Sequence, residues 1–374
     1  MKVLLVSNYL PDGQQSMQRF AAMLEAGLVH LGHEVRTIRP RAILGRARSS
    51  TVGVHKWLGY IDKYLLFPAQ LRRVLPWADV VHICDHSNAV YVRHLQAVPH
   101  LVTCHDLLAV RGAFAEQTDV PASAMGKILQ NWILKGLGQA QLVACDSTYT
   151  KLDLERLLER AASKNIRLIL LGLNYTYRVL TPLELADRLV RARQLDATKP
   201  FILHVGSSLR RKNREGVLRI FHRLKDRWHG QLVFAGEPLT DDQTNLVSTL
   251  DLTDRVVQVV NPDGELLEAL YNAAFALLFP SRFEGFGWPV IEAQACGCPV
   301  VCSDRCSLPE VVGTSALTRA VDDEVGFATD ILRLADPIER RTWVARGFAN
   351  IDRFKPEAMI SLYSELYTEL SGLR

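Results

Sequence analysis

Phe279 to Val301 reads FPSRFEGFGWPVIEAQACGCPVV, and this stretch decides the fold. Glu284 stands in a glycine-rich loop, Glu284-Gly285-Phe286-Gly287, and Glu292 follows with seven residues between them. Pro289 suits the first position of a helix, where its fixed φ is right and its missing N–H would have no partner anyway. Glu292 then falls at the end of the first helical turn. Gly297 suits the helix C-terminus, and Pro299 prevents continuation before the apolar run Val300-Val301-Cys302. A loop of small residues thus delivers bare backbone N–H groups to a helix N-terminus, with a carboxylate on each side. Such a unit can hold a phosphorylated, hydroxyl-rich ligand: amides and helix dipole for phosphate, carboxylates for hydroxyls.

Outward from this stretch, the chain carries the same pattern twice. An apolar strand at 3–6, a polar loop and an amphipathic helix carrying Phe20, Met23, Leu24 and Leu28 lead into a strand at 35–38. Further strands are expected at 80–83, 101–104, 142–145 and 166–170. Thr181-Pro182-Leu183-Glu184 is a capping box opening a charged helix to about residue 195. A second unit follows, with strands at 201–205, 232–235, 256–259, 276–279 and 300–302. Strands alternating with helices imply parallel, doubly wound sheets. At 374 residues the chain is long enough for two separate cores, and the division is expected near residue 176.

The string resembles the donor-site signature of glycosyltransferase family 4, retaining enzymes of the GT-B class. The residues that carry the resemblance are Phe279-Pro280-Ser281, Glu284 to Gly287, Pro289, Glu292, Ala293, Ala295, Gly297, Pro299-Val300-Val301, and then Leu308-Pro309-Glu310-Val311-Val312-Gly313. The resemblance implies two Rossmann-like domains facing each other across a cleft: residues 1–175 for the acceptor, residues 176–355 for a nucleotide-sugar donor. A last helix over 356–374 would pack back on the first domain. The activity implied is hexosyl transfer with retention, from a nucleotide-diphosphate sugar to a glycan or lipid-linked acceptor, in cell-surface polysaccharide synthesis.

Such a transfer needs positive charge around the departing diphosphate, from a metal or from fixed cations. The chain has no Asp-x-Asp, and no metal or other cofactor is expected. Gly206 to Asn213 instead runs from a strand into a helix and contains Arg210, Arg211 and Lys212. The resemblance assigns the diphosphate to Arg211 and Lys212, with Gly206 in the same loop, while Arg210 stands where the family often has proline. It assigns ribose hydroxyls to Glu292 and a donor-sugar hydroxyl to Glu284, with the amides of Gly285, Phe286 and Gly287 completing the cradle. The two glutamates also fit the distance of a glycosidase pair, roughly 5–9.5 Å, but the Arg-Lys loop and the two-unit pattern argue against that chemistry. In the first unit, Gly13 follows the first strand where the family has a glycine-rich loop that lets backbone approach the donor's diphosphate and the acceptor, although this chain reads Asp12-Gly13-Gln14-Gln15 in place of the common Gly-Gly pair. His105, in Thr103-Cys104-His105-Asp106, matches a motif whose histidine reaches the donor sugar or reaction centre. His82, Asp85 and His86 end the preceding strand and are expected to line an acceptor pocket rather than hold zinc.

Composition bounds the rest. With 48% apolar and 22% charged residues the chain reads as an ordinary globular protein, without an apolar run approaching the roughly 20 residues of a membrane span. No secretory signal is read at the start, so a cytoplasmic place is expected. Cys296, Cys298, Cys302 and Cys306 flank a helix end and a strand and are read as small hydrophobes rather than a zinc set. The net charge is +4, but Arg36, Arg39, Arg41, Arg46, Arg48, Lys56, Lys63, Arg72 and Arg73 crowd the first hundred residues. Residues 56–75 combine these cations with Trp57, Leu58, Ile61, Tyr64, Leu65, Phe67, Leu71 and Val74, as a segment lying on an anionic membrane would; Pro68 favours instead a pair of core-packing helices. Nucleic acid is not expected, because no nucleic-acid module accompanies the basic residues. Two other functions share the fold: a sugar-phosphate enzyme such as a phosphorylase or epimerase, and a binding protein without turnover.

Overall fold

The computed structural model describes residues 1–45, 54–116, 118–158, 165–196 and 198–372. The chain divides into two compact units, 1–174 with 356–374, and 175–355. Arg46 and Arg48 lie outside the described residues, as does the side chain of Lys56.

The first unit holds six parallel strands: β1 (Lys2–Val6), β2 (Glu34–Ile38), β3 (Val80–Ile83), β4 (His100–Cys104), β5 (Leu142–Cys145) and β6 (Ile166–Leu168). Their order is β2-β1-β3-β4-β5-β6. β3, β4 and β5 are buried along their whole length, and β1 from Val3 onward, because helices cover both faces of a parallel sheet. The chain doubles back at β1, between β2 and β3, and that reversal makes the crevice at the strand C-termini where open α/β sheets take ligands. The helix Pro356–Gly372 belongs to this unit. It lies so close to the helix Gln15–His30 that a Cβ on Gly27 would stand 2.6 Å from Ile360.

The second unit repeats the plan with β7 (Phe201–Gly206), β8 (Gln231–Gly236), β9 (Val256–Val260), β10 (Ala276–Phe279), β11 (Val300–Ser303) and β12 (Leu317–Arg319). The order is β12-β11-β10-β7-β8-β9, again all parallel. The sequence reading has no counterpart of β12, a three-residue strand with one buried side chain. The capping-box helix opens as read, with Thr181 and Glu184 bonding reciprocally, but ends at Leu189 rather than near 195.

Residues 54–74 form two helices, Val54–Ile61 and Phe67–Val74, joined by a π turn over Asp62–Leu66. Pro68 sits in the first turn of the second helix, where it costs no hydrogen bond. Phe67 and Leu71 enter the core, while Trp57, Leu65 and Leu66 are exposed. Among the described residues no helix is long and apolar enough to cross a membrane.

Candidate functional site

In the second unit, the loops after β7 and β10 meet at the C-terminal edge of the sheet. Arg211 and Lys212 form a short 3-10 turn after β7. The two loops are tied by the Arg282 amide donating to the Arg211 carbonyl at 2.7 Å, and by Asn213 Nδ2 donating to the Pro280 carbonyl at 2.9 Å. Lys212 Nζ lies 2.7 and 3.0 Å from the two carboxylate oxygens of Glu284, and Arg211 Nη1 lies 3.3 Å from one of them. Lys212 and Glu284 are both buried. Burial alone would raise the Glu284 carboxyl, but Lys212 and then Arg211 outweigh it and hold it below the ordinary value. Burial also pulls the Lys212 ammonium below its ordinary value, against the opposing pull of Glu284. Isolated, either charge would be very costly here; together they persist. Arg210, one residue away, is exposed.

The backbone around this trio is shaped by two glycines. Gly206 brings the chain so close to the Lys212 stem that a Cβ would stand 3.2 Å from it. Gly287, at φ +104°, precedes the helix Trp288–Ala295, and a Cβ there would stand 2.7 Å from Leu308. Ser307 Oγ sits 2.9 Å from the carbonyls of both Glu284 and Phe286, one hydroxyl bracing the loop. The Phe286 ring packs edge-on against Phe354, so the backbone of this residue, not its side chain, is what the loop offers a ligand. Glu292 is buried in the first turns of the helix, and Tyr271 donates its hydroxyl to Oε2 at 2.8 Å.

Two buried residues that support this edge are absent from the sequence reading. Arg214, wholly buried, donates to the carbonyls of Gly206, Glu237 and Pro238 at 2.7, 2.8 and 3.1 Å and so joins the loops after β7 and β8. Tyr271 is the other. An arginine at a helix start reads as solvated and a tyrosine in an apolar helix reads as core, so neither carried a local signal.

In the first unit, the strand ends hold a different set. His105 Nε2 donates to the Cys84 carbonyl at 2.9 Å, and Nδ1 faces Asp146 Oδ2 at 3.1 Å. Both ring nitrogens are therefore engaged within the unit, and the ring meets Phe20 edge-on at 4.8 Å; a nitrogen reaching out to a sugar is not the arrangement found. Burial alone would lower His105, but the hydrogen bond and charge of Asp146, with Asp85, raise it above its ordinary 6.5. Asp146 itself is pushed by burial up to about 6 despite His105. Asp85 accepts from Asn8 and Ser87 and lies 3.1 Å from His86. Burial opposes its charge, but His86 prevails and holds it well below the usual carboxylate range.

His82 departs from expectation. It is wholly buried, with Nδ1 2.7 Å from the Tyr367 hydroxyl and Nε2 2.7 Å from Thr103 Oγ1. Burial lowers it to about 3. It is a polar bridge between β3, β4 and the last helix, not part of a pocket wall. Gly13 ends the 3-10 turn Leu10–Asp12 in an exposed position. Cys84, Cys104, Cys145, Cys296, Cys298 and Cys302 are buried free thiols, with burial raising Cys298 and Cys302 to about 12. Among the described residues, no three of His, Cys, Asp and Glu converge as a metal-binding group.

Both units have counterparts among known proteins. The family model for glycosyl transferases group 1 matches residues 187–331, and that for Glycosyltransferase Family 4 matches residues 17–176. The O-antigen chain mannosyltransferase B of Escherichia coli is 32% identical over 310 residues, covering 80% of this chain and 79% of that protein. Among solved structures, sucrose-phosphate synthase from Thermosynechococcus elongatus superposes with a TM-score of 0.80 at 23% identity, over 100% of both chains. Anabaena HepE, solved with UDP and glucose, gives a TM-score of 0.75 at 13% identity, over 98% of this chain and 99% of that one. At these identities the two structures speak for the fold alone.

Proposed function

We propose that this chain, which belongs to the group 1 glycosyltransferases of family 4 and has their GT-B fold, moves a hexosyl group from a nucleotide-diphosphate sugar to a glycan or lipid-linked acceptor with retention of configuration. The observation that carries the reading is the buried contact of Lys212 and Arg211 with Glu284 at the ligand edge of the second unit. Two cations and a carboxylate in a dry site suit a diphosphate next to a polyhydroxyl ring. Lys212 keeps protons to spare beyond Glu284, and Arg211 is about a quarter exposed, so both can turn toward phosphate.

In this reading Arg211, Lys212 and the amides of Gly285, Phe286 and Gly287 hold the diphosphate, and Glu292 accepts from the ribose hydroxyls. Glu284 accepts from a hydroxyl of the donor sugar and offsets positive charge that builds on its ring as the bond to phosphate breaks. The acceptor oxygen bonds to the sugar carbon from the face the diphosphate leaves, and the acceptor's proton passes to the leaving phosphate. Fixed cations and amides take the place of a metal. The first unit holds the acceptor, with Asp85 and His86 at its strand ends. His105 enters as a fixed, paired ring. Similarity to an O-antigen chain mannosyltransferase supports cell-surface polysaccharide as the product.

The reading extends to a first unit that rests against an anionic membrane, on the cytoplasmic side. Ile43, Leu44, Trp57, Leu65 and Leu66 are exposed there. A hollow of about 750 Å³ beside them is lined by Arg36, Arg41 and Arg73, and Asp62, the acid in its lining, is committed to Tyr9 and three backbone amides. Lys63 is not part of this surface, since it pairs with Asp12. Liposome flotation tests the contact: binding to anionic but not neutral vesicles, lost on Arg72→Glu/Arg73→Glu, is expected, and no flotation with either would end it. The transfer itself is tested by presenting UDP-, GDP- and ADP-hexoses with EDTA present and reading the product anomer by NMR. Turnover with retention is expected; inversion, or turnover only with added magnesium or manganese, would contradict it.

A further inference from the structure

We propose that Tyr271 is the positioning residue through which this chain recognises the ribose of its donor, by fixing the plane of the Glu292 carboxylate. The inference deepens the reading of Glu292 as the ribose-binding group, and rests on it.

Tyr271 lies in the helix Gly264–Ala273 and Glu292 in the helix Trp288–Ala295. The tyrosine has no exposed surface and the glutamate has 3%. The hydroxyl donates to Oε2 at 2.8 Å. The Tyr177 ring meets Tyr271 edge-on at 5.7 Å and helps to hold it. Burial, and then the charge of Glu292, push the phenol well above its ordinary pKa, so it donates at every working pH.

The last torsion of a glutamate is broad and roughly two-fold, so a carboxylate without a fixed partner presents its oxygens in many planes. A rigid donor on Oε2 restricts that freedom. A vicinal diol asks for a carboxylate in a single plane, since two O–H groups must reach it together. Orientation set beforehand strengthens binding of the diol without touching it. It also sharpens rejection of a sugar lacking those hydroxyls, which could not make the contacts the oriented carboxylate offers.

The test uses whichever of UDP, GDP and ADP raises the melting temperature most, together with its 2′,3′-dideoxy counterpart. Dissociation constants for both are measured on the wild type, Tyr271→Phe and Glu292→Gln. Tyr271→Phe removes one oxygen and keeps the ring. The ratio of ribo to dideoxy affinity does not depend on the fraction of protein folded, so a destabilised variant still reports. The wild type should prefer the ribonucleotide, and Glu292→Gln should abolish most of that preference. Tyr271→Phe should reduce it by about tenfold, the scale of one charge-assisted hydrogen bond, with dideoxy affinity within about twofold of wild type. If Glu292→Gln erases the preference while Tyr271→Phe keeps it, or lowers both affinities alike, the role of Tyr271 is overturned and that of Glu292 stands. If Glu292→Gln leaves the preference intact, or no nucleotide binds, the ribose reading itself fails and this inference with it.

Discussion

The two units finish the same fold with different charges. Both present a crevice at the C-terminal ends of parallel strands. The second lines its crevice with lysine, arginine and glutamate in mutual contact. The first uses two histidine–aspartate pairs, His105 with Asp146 and His86 with Asp85, in which burial is outweighed by the aspartate's hydrogen bond and charge, raising the imidazole above its ordinary value. The fold alone therefore says little about chemistry. A permanent cation pair suits a ligand that is always a dianion or more, whereas a histidine pair suits a surface whose hydrogen bonds depend on one proton.

The largest effect expected from breaking this contrast is at Lys212. Lys212→Ala leaves Glu284 buried beside one cation fewer and removes a charge from the leaving diphosphate, so kcat/KM should fall by at least about a hundredfold, the scale of one electrostatic group in an active site at about 2.7–4 kcal/mol. Arg211→Ala, at a partly exposed position, should cost about tenfold, and Arg210→Ala less than twofold; steady-state kinetics on the three variants would order them. Equal losses at 210 and 212 would dissolve the idea of a specific pair.

Glu284→Gln should separate binding from turnover. Removing the carboxylate leaves less negative charge near a bound diphosphate, so nucleotide affinity should hold within about threefold or tighten. Turnover should fall by about a hundredfold, the scale of one electrostatic group in an active site. Calorimetry beside kinetics checks this, and parallel losses in both would refute the division of labour.

The first unit should answer to pH where the second does not. His105 and Asp146 both have folded-state pKa values above their ordinary ones, Asp146 at about 6. A raised value contributes stability that is complete below the unfolded pKa and lost as pH rises through the folded one. The wild type should therefore lose advantage in melting temperature over Asp146→Asn as pH climbs from 3.8 to about 6, the Asp146 window, and lose more above 6.5 as His105 gives up its proton. A gap that stays constant, or widens, would show that the pair does not titrate in that window. Smallest is Ser307→Ala, which removes the brace on the Glu284 loop and should lower stability by about 1 kcal/mol, read from a denaturant midpoint.

Legibility followed locality. The loop and helix around Glu284 and Glu292 could be read because proline at a helix start, glycine with positive φ and an apolar strand are constraints between neighbours. The pairing of Lys212 with Glu284 spans 72 positions, and only the resemblance linked those two segments. Nothing local linked His82 to Tyr367, 285 positions away, so a buried bridge was expected as a pocket wall. Asp146 carried no signal because an acid after a strand usually faces water. β12 escaped because Leu317-Thr318-Arg319 is too short to show alternation.

The central claim is that the Arg211–Lys212–Glu284 cluster receives the donor's diphosphate. Isothermal titration of the wild type and Lys212→Ala with a nucleoside diphosphate and the matching monophosphate, in EDTA, tests it most directly. Wild type should prefer the diphosphate by about tenfold or more, the worth of a charge-assisted contact to the second phosphate, and Lys212→Ala should bind the two alike. Equal affinity for both in the wild type, or a preference that survives in Lys212→Ala, would contradict the claim.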